Sequence, residues 1–465
     1  MSSSPDLACD IARFAVSLTY SDLPLAVTEA VRTNVLDTLS CALAGSSAEG
    51  IGEVADLVEG WGGRPEASVF VLGGKLPAHH AAWLNSGMAH ARDYDDTHDA
   101  AILHAGVSTV PAAIAAAELR GGISGPELIV AVAAGLEVMC RLGVAIDVDI
   151  VESGFIYSSV LGYFAATVAA GRVLGLDEKQ MLNALGIVYS SVAGNHQVTR
   201  DASLMKRLQP GLAAQAAVVA AQLAARGVRG AQHVFEGADG FFRVYLHGRA
   251  SADRFRRDLG QSYELLNLSY KPYPCCRDTH SSIDAALAAR LQDDRTVADI
   301  ESVRVGLTGP GYQMVCVPES VRQAPKTIVE AQFSIPFTVA AALIDGAPMI
   351  RHFTEAAVTR PDILALARRV HPYVDQEIDR DWNRFVTPAR LDIQYSDGKQ
   401  SSVRIDYPKG HPRHRMAAAE IAAKTADCAK YAAKPLAPDT AERLAAATLG
   451  LDKASDLDAL LNAMS

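Results

Sequence analysis

The sequence predicts a mainly α-helical protein in two domains: a large all-helical domain over 1–265 and a smaller α+β domain over 266–408. The helices of 409–465 are expected to pack back on the first. Three observations predict this. The chain has 465 residues, more than one hydrophobic core usually supports. Apolar residues make up 49% of it and aromatics only 6%, and the apolar share is heavy in alanine, which loses no side-chain entropy in a helix. The apolar periodicity is helical up to about residue 265 and partly alternating beyond it.

The elements follow in order. After Ser21 and Asp22, LPLAVTEAVRTNVLDTLSCALAG carries apolar residues at helical spacing, with Gly45 placed to stop it. An alanine-flanked helix spans about 77–91, and the next begins near Val107. Ser124 with Glu127 reads as a capping box ahead of LIVAVAAGLEVMCRL, and Asp177 with Gln180 as another ahead of MLNALGIVYSSVAG. Helices over 158–174 and 211–225 complete the bundle. Beyond 266, SVRVGLTG (302–309) alternates like a strand, and LDIQYSDGKQSSVRIDY (391–407) reads as a hairpin turning at Asp397 and Gly398. Helices at 280–291, 327–344 and 361–370 interleave with these strands, and helices return at 416–432 and 438–463. Neither an internal repeat nor a low-complexity segment is present.

Composition excludes several functions. A net charge of -10 with no basic stripe argues against a nucleic-acid partner. The start, MSSSPDLACDIARF, lacks the pattern of a signal peptide, and the apolar stretches 126–139 and 211–226 read as too short or too interrupted to cross a bilayer. The expectation is a cytoplasmic protein without a membrane partner. Seven cysteines without CxxC spacing form neither a disulfide framework nor a zinc knuckle.

Three polar clusters are candidates for chemistry. The densest is Asp93-Tyr94-Asp95-Asp96-Thr97-His98-Asp99, followed by His104, where like charges repel and shift one another's pKa values. Its bland alternative is a solvated loop whose aspartates cap the next helix, and Asp99 reads as ordinary surface. The second is Lys206 with Arg207, where a polar loop enters a long apolar helix, so that an ammonium at the helix start can reach a carboxylate ligand. The alternative is a pair of exposed loop charges. The third is Lys271-Pro-Tyr-Pro-Cys-Cys-Arg277-Asp-Thr-His280, stiffened by two prolines where the composition changes. Cys275 and Cys276 read as inert buried thiols.

DYDDTH with its following histidine, MKRLQPG, and KPYPCCRDTH ahead of SSIDAAL together resemble the MmgE/PrpD family, over nearly the whole chain. That family includes 2-methylcitrate dehydratases, cis-aconitate decarboxylases and iminodisuccinate epimerases. The resemblance implies a helical domain with an α+β lid, a homodimer, a small polycarboxylate substrate, and chemistry without metal or organic cofactor. The matching positions are Asp93, Thr97, His104, Lys206, Lys271 and His280. Of these, His104 suits the base that removes a proton next to a carboxylate, tuned by Asp93, with His280 as the competing choice. Lys206 and Lys271 suit the holding of substrate carboxylates and of the charge that develops, and Thr97 can hydrogen-bond a carboxylate or protonate a departing hydroxyl. Arg207 and Arg277 are further anion-binding candidates. Many family members read His-Pro-Thr where this chain has Ile156-Tyr157-Ser158, so Tyr157 is a candidate replacement and the substrate is expected to differ from that of most relatives.

The leading expectation is a lyase, either a dehydratase of a citrate-type acid or a decarboxylase of a cis-aconitate-type acid. An epimerase of a dicarboxylate is the alternative, with Lys206, Tyr157 and the histidines as the donor and acceptor. A metal-dependent hydrolase using Asp95, Asp96, His98 and His104 as ligands ranks below both, because no recognised ligand spacing such as HExxH is present. A catalytically silent binding protein is the remaining alternative.

Overall fold

The computed structural model describes residues 5–148, 150–201, 203–292, 295–382 and 387–465. They divide into two units, Met1–Leu268 with Ala418–Ser465, and Ser269–Ala417.

The first unit is helical. The Leu25–Gly45 helix runs along Ala78–His90, and Gly45 is needed for that contact, because a Cβ there would lie 1.8 Å from the Met88 carbonyl oxygen. The glycine therefore does more than end its helix. Both capping boxes form. Ser124 and Glu127 exchange bonds at the start of Gly125–Val144, and Gln180 N donates to Asp177 Oδ1 at 2.7 Å at the start of Glu178–Tyr189. Gly106–Arg120, Gly125–Val144, Gly162–Val173 and Met205–Ala225 pack on one another, and every residue from Gly106 to Ala117 is buried. Small side chains permit that close approach, which explains the alanine content. The last of these helices is longer than the sequence suggested, at 21 residues, and is apolar enough to cross a membrane by length and composition. It packs instead against Ala78–His90, Gly162–Val173 and Glu178–Tyr189 as a core helix.

Ala418–Ala429 and Thr440–Leu449 lie on Leu25–Gly45. The single helix expected over 438–463 is interrupted, because Gly450 ends Thr440–Leu449 and the Arg32 guanidinium captures the Leu449 carbonyl at 2.6 Å. A short helix, Asp458–Ala463, follows. A buried pair, Arg141 Nε to Glu137 Oε1 at 2.5 Å, organises the segment that leads out of the unit. Arg141 donates to the carbonyls of Phe255, Arg257 and Ser262, and Glu137 accepts from the amides of Glu264 and Leu265.

The second unit is built on a four-stranded sheet in the order Val370–Val374, Ile300–Leu307, Ala389–Tyr395, Gln400–Ile405. The last two are the expected hairpin, turning at Asp397 and Gly398 with Gly398 at φ +85°. Val370–Val374 pairs in parallel with Ile300–Leu307 and was not expected, since Pro372 interrupts its pattern. It is an edge strand, where a missing N–H is tolerated. The expected helix over 327–344 is two, Ile328–Gln332 and Ile335–Asp345, with Pro336 in the first turn of the second and Ser334 Oγ capping Phe337 N at 3.0 Å. His280–Arg290 packs on the two hairpin strands and against Ile335–Asp345, over a core of Val303, Val305, Leu391, Ile393, Ile283 and Phe337.

Candidate active site

The acidic cluster is buried, and its conformation starts at the end of Ala78–His90. Asp93 takes a left-handed backbone, φ +53°, a region that aspartate enters more readily than most residues. Its amide returns to the His90 carbonyl at 3.2 Å. The reversal carries the Asp93 carboxylate to Lys206, whose ammonium donates to Oδ1 at 2.7 Å. Lys206 lies in the first turn of Met205–Ala225, where the helix dipole opposes a cation, so the carboxylate holds it there.

Asp95 is fully buried, and its Oδ2 meets two imidazoles, His90 Nδ1 at 3.0 Å and His104 Nδ1 at 2.9 Å. His104 Nδ1 also lies 2.7 Å from the Asp96 carbonyl. Two acceptors on one nitrogen fix its proton there, which leaves Nε2 with the lone pair. The ring is 17% exposed, whereas that of His90 is 1%. Ser158 Oγ accepts from the His104 amide at 2.9 Å, so the backbone is held too. Asp96 caps the next helix, Oδ2 to Ala105 N at 2.9 Å and Oδ1 to Gly106 N at 3.0 Å. Gly106 has no room for a side chain, since a Cβ would meet Thr38 Oγ1, Asp96 Oδ1 and Asn34 Oδ1 within 2.7 Å. Part of the capping expectation thus holds, but inside the protein rather than in solvent.

Burial drives the His90 imidazole down to about 4, against the pull of Asp95, so at neutral pH it is an uncharged donor. The Lys206 ammonium is near enough to His90 to oppose its protonation, which links the first two polar clusters electrostatically. Burial opposes ionisation of Asp95, yet the two imidazoles outweigh it and hold the carboxyl well below the usual range. Asp96 moves the other way, pushed up to about 6 by burial and by the charges of Asp95 and Asp37.

Asp93 and Lys206 thus pair directly in the first unit, His104 joins the same loop through Asp95, and Thr97 is buried there. Arg207 is buried, donates to the Glu49 carbonyl at 3.3 Å and lies near enough to Asp93 to feel its charge. The Tyr157 hydroxyl donates to the Val148 carbonyl at 2.8 Å, a structural contact, and Ile156 is buried beside it. Lys271, Arg277 and His280 belong to the second unit. There both ring nitrogens of His280 are engaged, Nδ1 with Arg277 Nη1 and Nε2 with the Cys275 carbonyl, each at 3.3 Å. Arg277 also donates to the Lys409 carbonyl, and Lys271 is buried. Cys275 is buried and Cys276 partly so.

The metal set read from sequence does not converge. His98 turns to Glu264, Nε2 to Oε1 at 3.1 Å, and Asp96 is occupied as a cap. Among the described residues, His90, Asp95 and His104 offer ligand atoms within 4.8 Å of one another. His90 Nδ1 hydrogen-bonds Asp95 Oδ2, and His104 Nδ1, 2.9 Å from the same oxygen, hydrogen-bonds the Asp96 carbonyl, so a metal would have to displace both protons. His90 and the pairing role of Asp95 were not singled out from sequence. A histidine twelve residues after Ala78, closing an alanine-rich helix directly ahead of the acidic run, was the available signal.

An ionised carboxylate orienting one accessible imidazole, beside an ammonium, is the equipment of a general acid–base site for an anionic ligand. The chain belongs to the MmgE/PrpD family: residues 9–253 match the MmgE/PrpD N-terminal domain and residues 273–451 the MmgE/PrpD C-terminal domain. It is 27% identical over 423 residues to a cis-aconitate decarboxylase of Aspergillus terreus, covering 87% of this chain and 85% of that protein. Against the human cis-aconitate decarboxylase the identity is 27% over 392 residues, covering 83% and 79%. Against the cis-aconitate decarboxylase-like protein oryM of Aspergillus oryzae it is 25% over 479 residues, covering 99% and 97%.

Proposed function

We propose that the chain is a lyase of a small polycarboxylic acid, acting by proton transfer at carbon next to a carboxylate, and that decarboxylation of a cis-aconitate-type acid is its reaction. The observation that carries this reading is the double acceptor on His104 Nδ1, which leaves Nε2 as the one accessible nitrogen of the histidine pair. The names of the relatives give the substrate type. In this reading Lys206 holds a substrate carboxylate and Asp93 holds Lys206. Carbon dioxide leaves, the electron pair of the broken C–C bond spreads toward a remaining carboxylate, and a protonated His104 delivers its Nε2 proton to carbon. Asp95 stabilises the imidazolium before transfer. Solvent then restores the proton. The assembly in this reading is a homodimer in the cytoplasm, with neither metal nor organic cofactor.

Incubation of the purified protein with cis-aconitate, 2-methylcitrate, citrate and iminodisuccinate in deuterated water, followed by proton NMR, tests it. The expected result is loss of cis-aconitate, release of carbon dioxide and a deuterium in the product. Deuterium exchange without loss of carbon dioxide or water indicates an epimerase, and a silent panel overturns the reading. Unchanged turnover in chelator is expected.

A further inference from the structure

A buried ammonium of the C-terminal segment reaches the site loop. Lys424, on Ala418–Ala429, is 3% exposed and donates to Asp37 Oδ1 at 2.5 Å and to the Tyr94 carbonyl at 2.6 Å. It also lies 4.2 Å from the centre of the Tyr94 ring. A buried ammonium persists only where such partners replace water. Two of its three contacts are with one residue of the acidic loop, 330 positions away in sequence.

We propose that Lys424 is a positioning residue of the active site, holding the peptide unit from which Asp95 projects. The Tyr94 carbonyl and the Asp95 amide belong to one rigid plane, so a donor that fixes the carbonyl fixes the direction in which Asp95 leaves the chain. Asp95 in turn sets His104. On the other side of Tyr94 lies Asp93, whose left-handed backbone aims its carboxylate at Lys206. Lys424 thus pins the midpoint between the residue that holds the ammonium and the residue that orients the imidazole. A purely stabilising Lys424 would matter only through its pair with Asp37.

The proposal rests on the reading of this loop as the site, and two variants separate the two. Lys424→Met removes the donor. Lys424→Met with Asp37→Leu also replaces the buried pair by apolar side chains, a change that buried pairs often tolerate, so the fold is kept if the single variant loses it. In either folded variant kcat is expected to fall on the order of 10²-fold, with KM within about threefold of wild type, because the anion-holding Lys206 is untouched while the imidazole is misaligned. Amide hydrogen exchange of 93–98 is expected to quicken about tenfold or more relative to the rest of the helical unit. Unchanged exchange in 93–98 overturns the proposal, as does a kcat within threefold of wild type in the folded double variant. A wild-type protein inactive on every acid counts against the functional reading alone, and the exchange comparison still decides the role of Lys424.

Discussion

Two polar segments stand out in this chain, one in each unit, and both are buried, yet they treat their histidines differently. In the helical unit, Asp95 and the Asp96 carbonyl take one nitrogen of His104 and leave the other available on a partly exposed ring. In the α+β unit, Arg277 and the Cys275 carbonyl take both nitrogens of the fully buried His280. A ring nitrogen on an exposed edge with its lone pair open reaches a ligand without first breaking a contact inside the protein. On this difference rests our proposal that His104, rather than His280, transfers the proton.

The largest expected effect breaks this comparison directly. His104→Gln should lower kcat by about 10²–10⁴-fold, the usual worth of a positioned acid or base, while His280→Gln should lower it by about tenfold or less. Steady-state kinetics of the two proteins side by side check the order, and a greater loss in His280→Gln reverses the assignment. Asp95→Asn keeps the shape and removes the charge that orients His104, so a kcat loss on the order of 10²-fold is expected in the same assay. Lys206→Met should act chiefly on KM, lowering kcat/KM by about 10- to 10²-fold, the worth of one charge-assisted hydrogen bond.

The smallest effect concerns stability and pH. As pH falls from 7 to 5, the unfolded chain takes a proton on histidine that buried His90, held at about 4, refuses, so this group removes stability. Asp96, raised to about 6, acts oppositely, because the folded carboxyl takes up a proton that the unfolded one does not. In wild type the two largely cancel. His90→Gln removes the first, and denaturant titrations at the two pH values should show the variant gaining about 2 kcal/mol relative to wild type over that step. A relative loss would mean that His90 is charged in the folded protein.

Much of the fold was legible because it rests on local rules. The capping boxes at Ser124 and Asp177 and the turn at Asp397 and Gly398 are short-range hydrogen-bond patterns, and the structure forms all three. The edge strand Val370–Val374 was hidden because Pro372 is acceptable only once the strand is known to be an edge, which is a tertiary fact. The site was legible as motifs and not as geometry. Asp93, His104 and Lys206 could be named, but nothing in DYDDTH tells which aspartate faces which neighbour. That is decided by the reversal at Asp93 and by contacts to His90, Ala105 and Lys424, all outside the motif. Tyr157 shows the converse, since its sequence position suggested a substrate contact and its hydroxyl turned out to serve the Val148 carbonyl.

The central claim is that Asp95 and the Asp96 carbonyl fix the tautomer of His104 so that Nε2 meets the ligand. Nitrogen-15 NMR of histidine-labelled protein, with His104→Gln to identify the signal, measures this directly when the unreactive tricarboxylate tricarballylate is added. The account predicts a His104 ring protonated on Nδ1 in the free protein, with an Nε2 resonance that moves as the ligand binds. A neutral ring protonated on Nε2 alone in the free protein, or an Nε2 resonance that stays in place while tricarballylate binds, would contradict it.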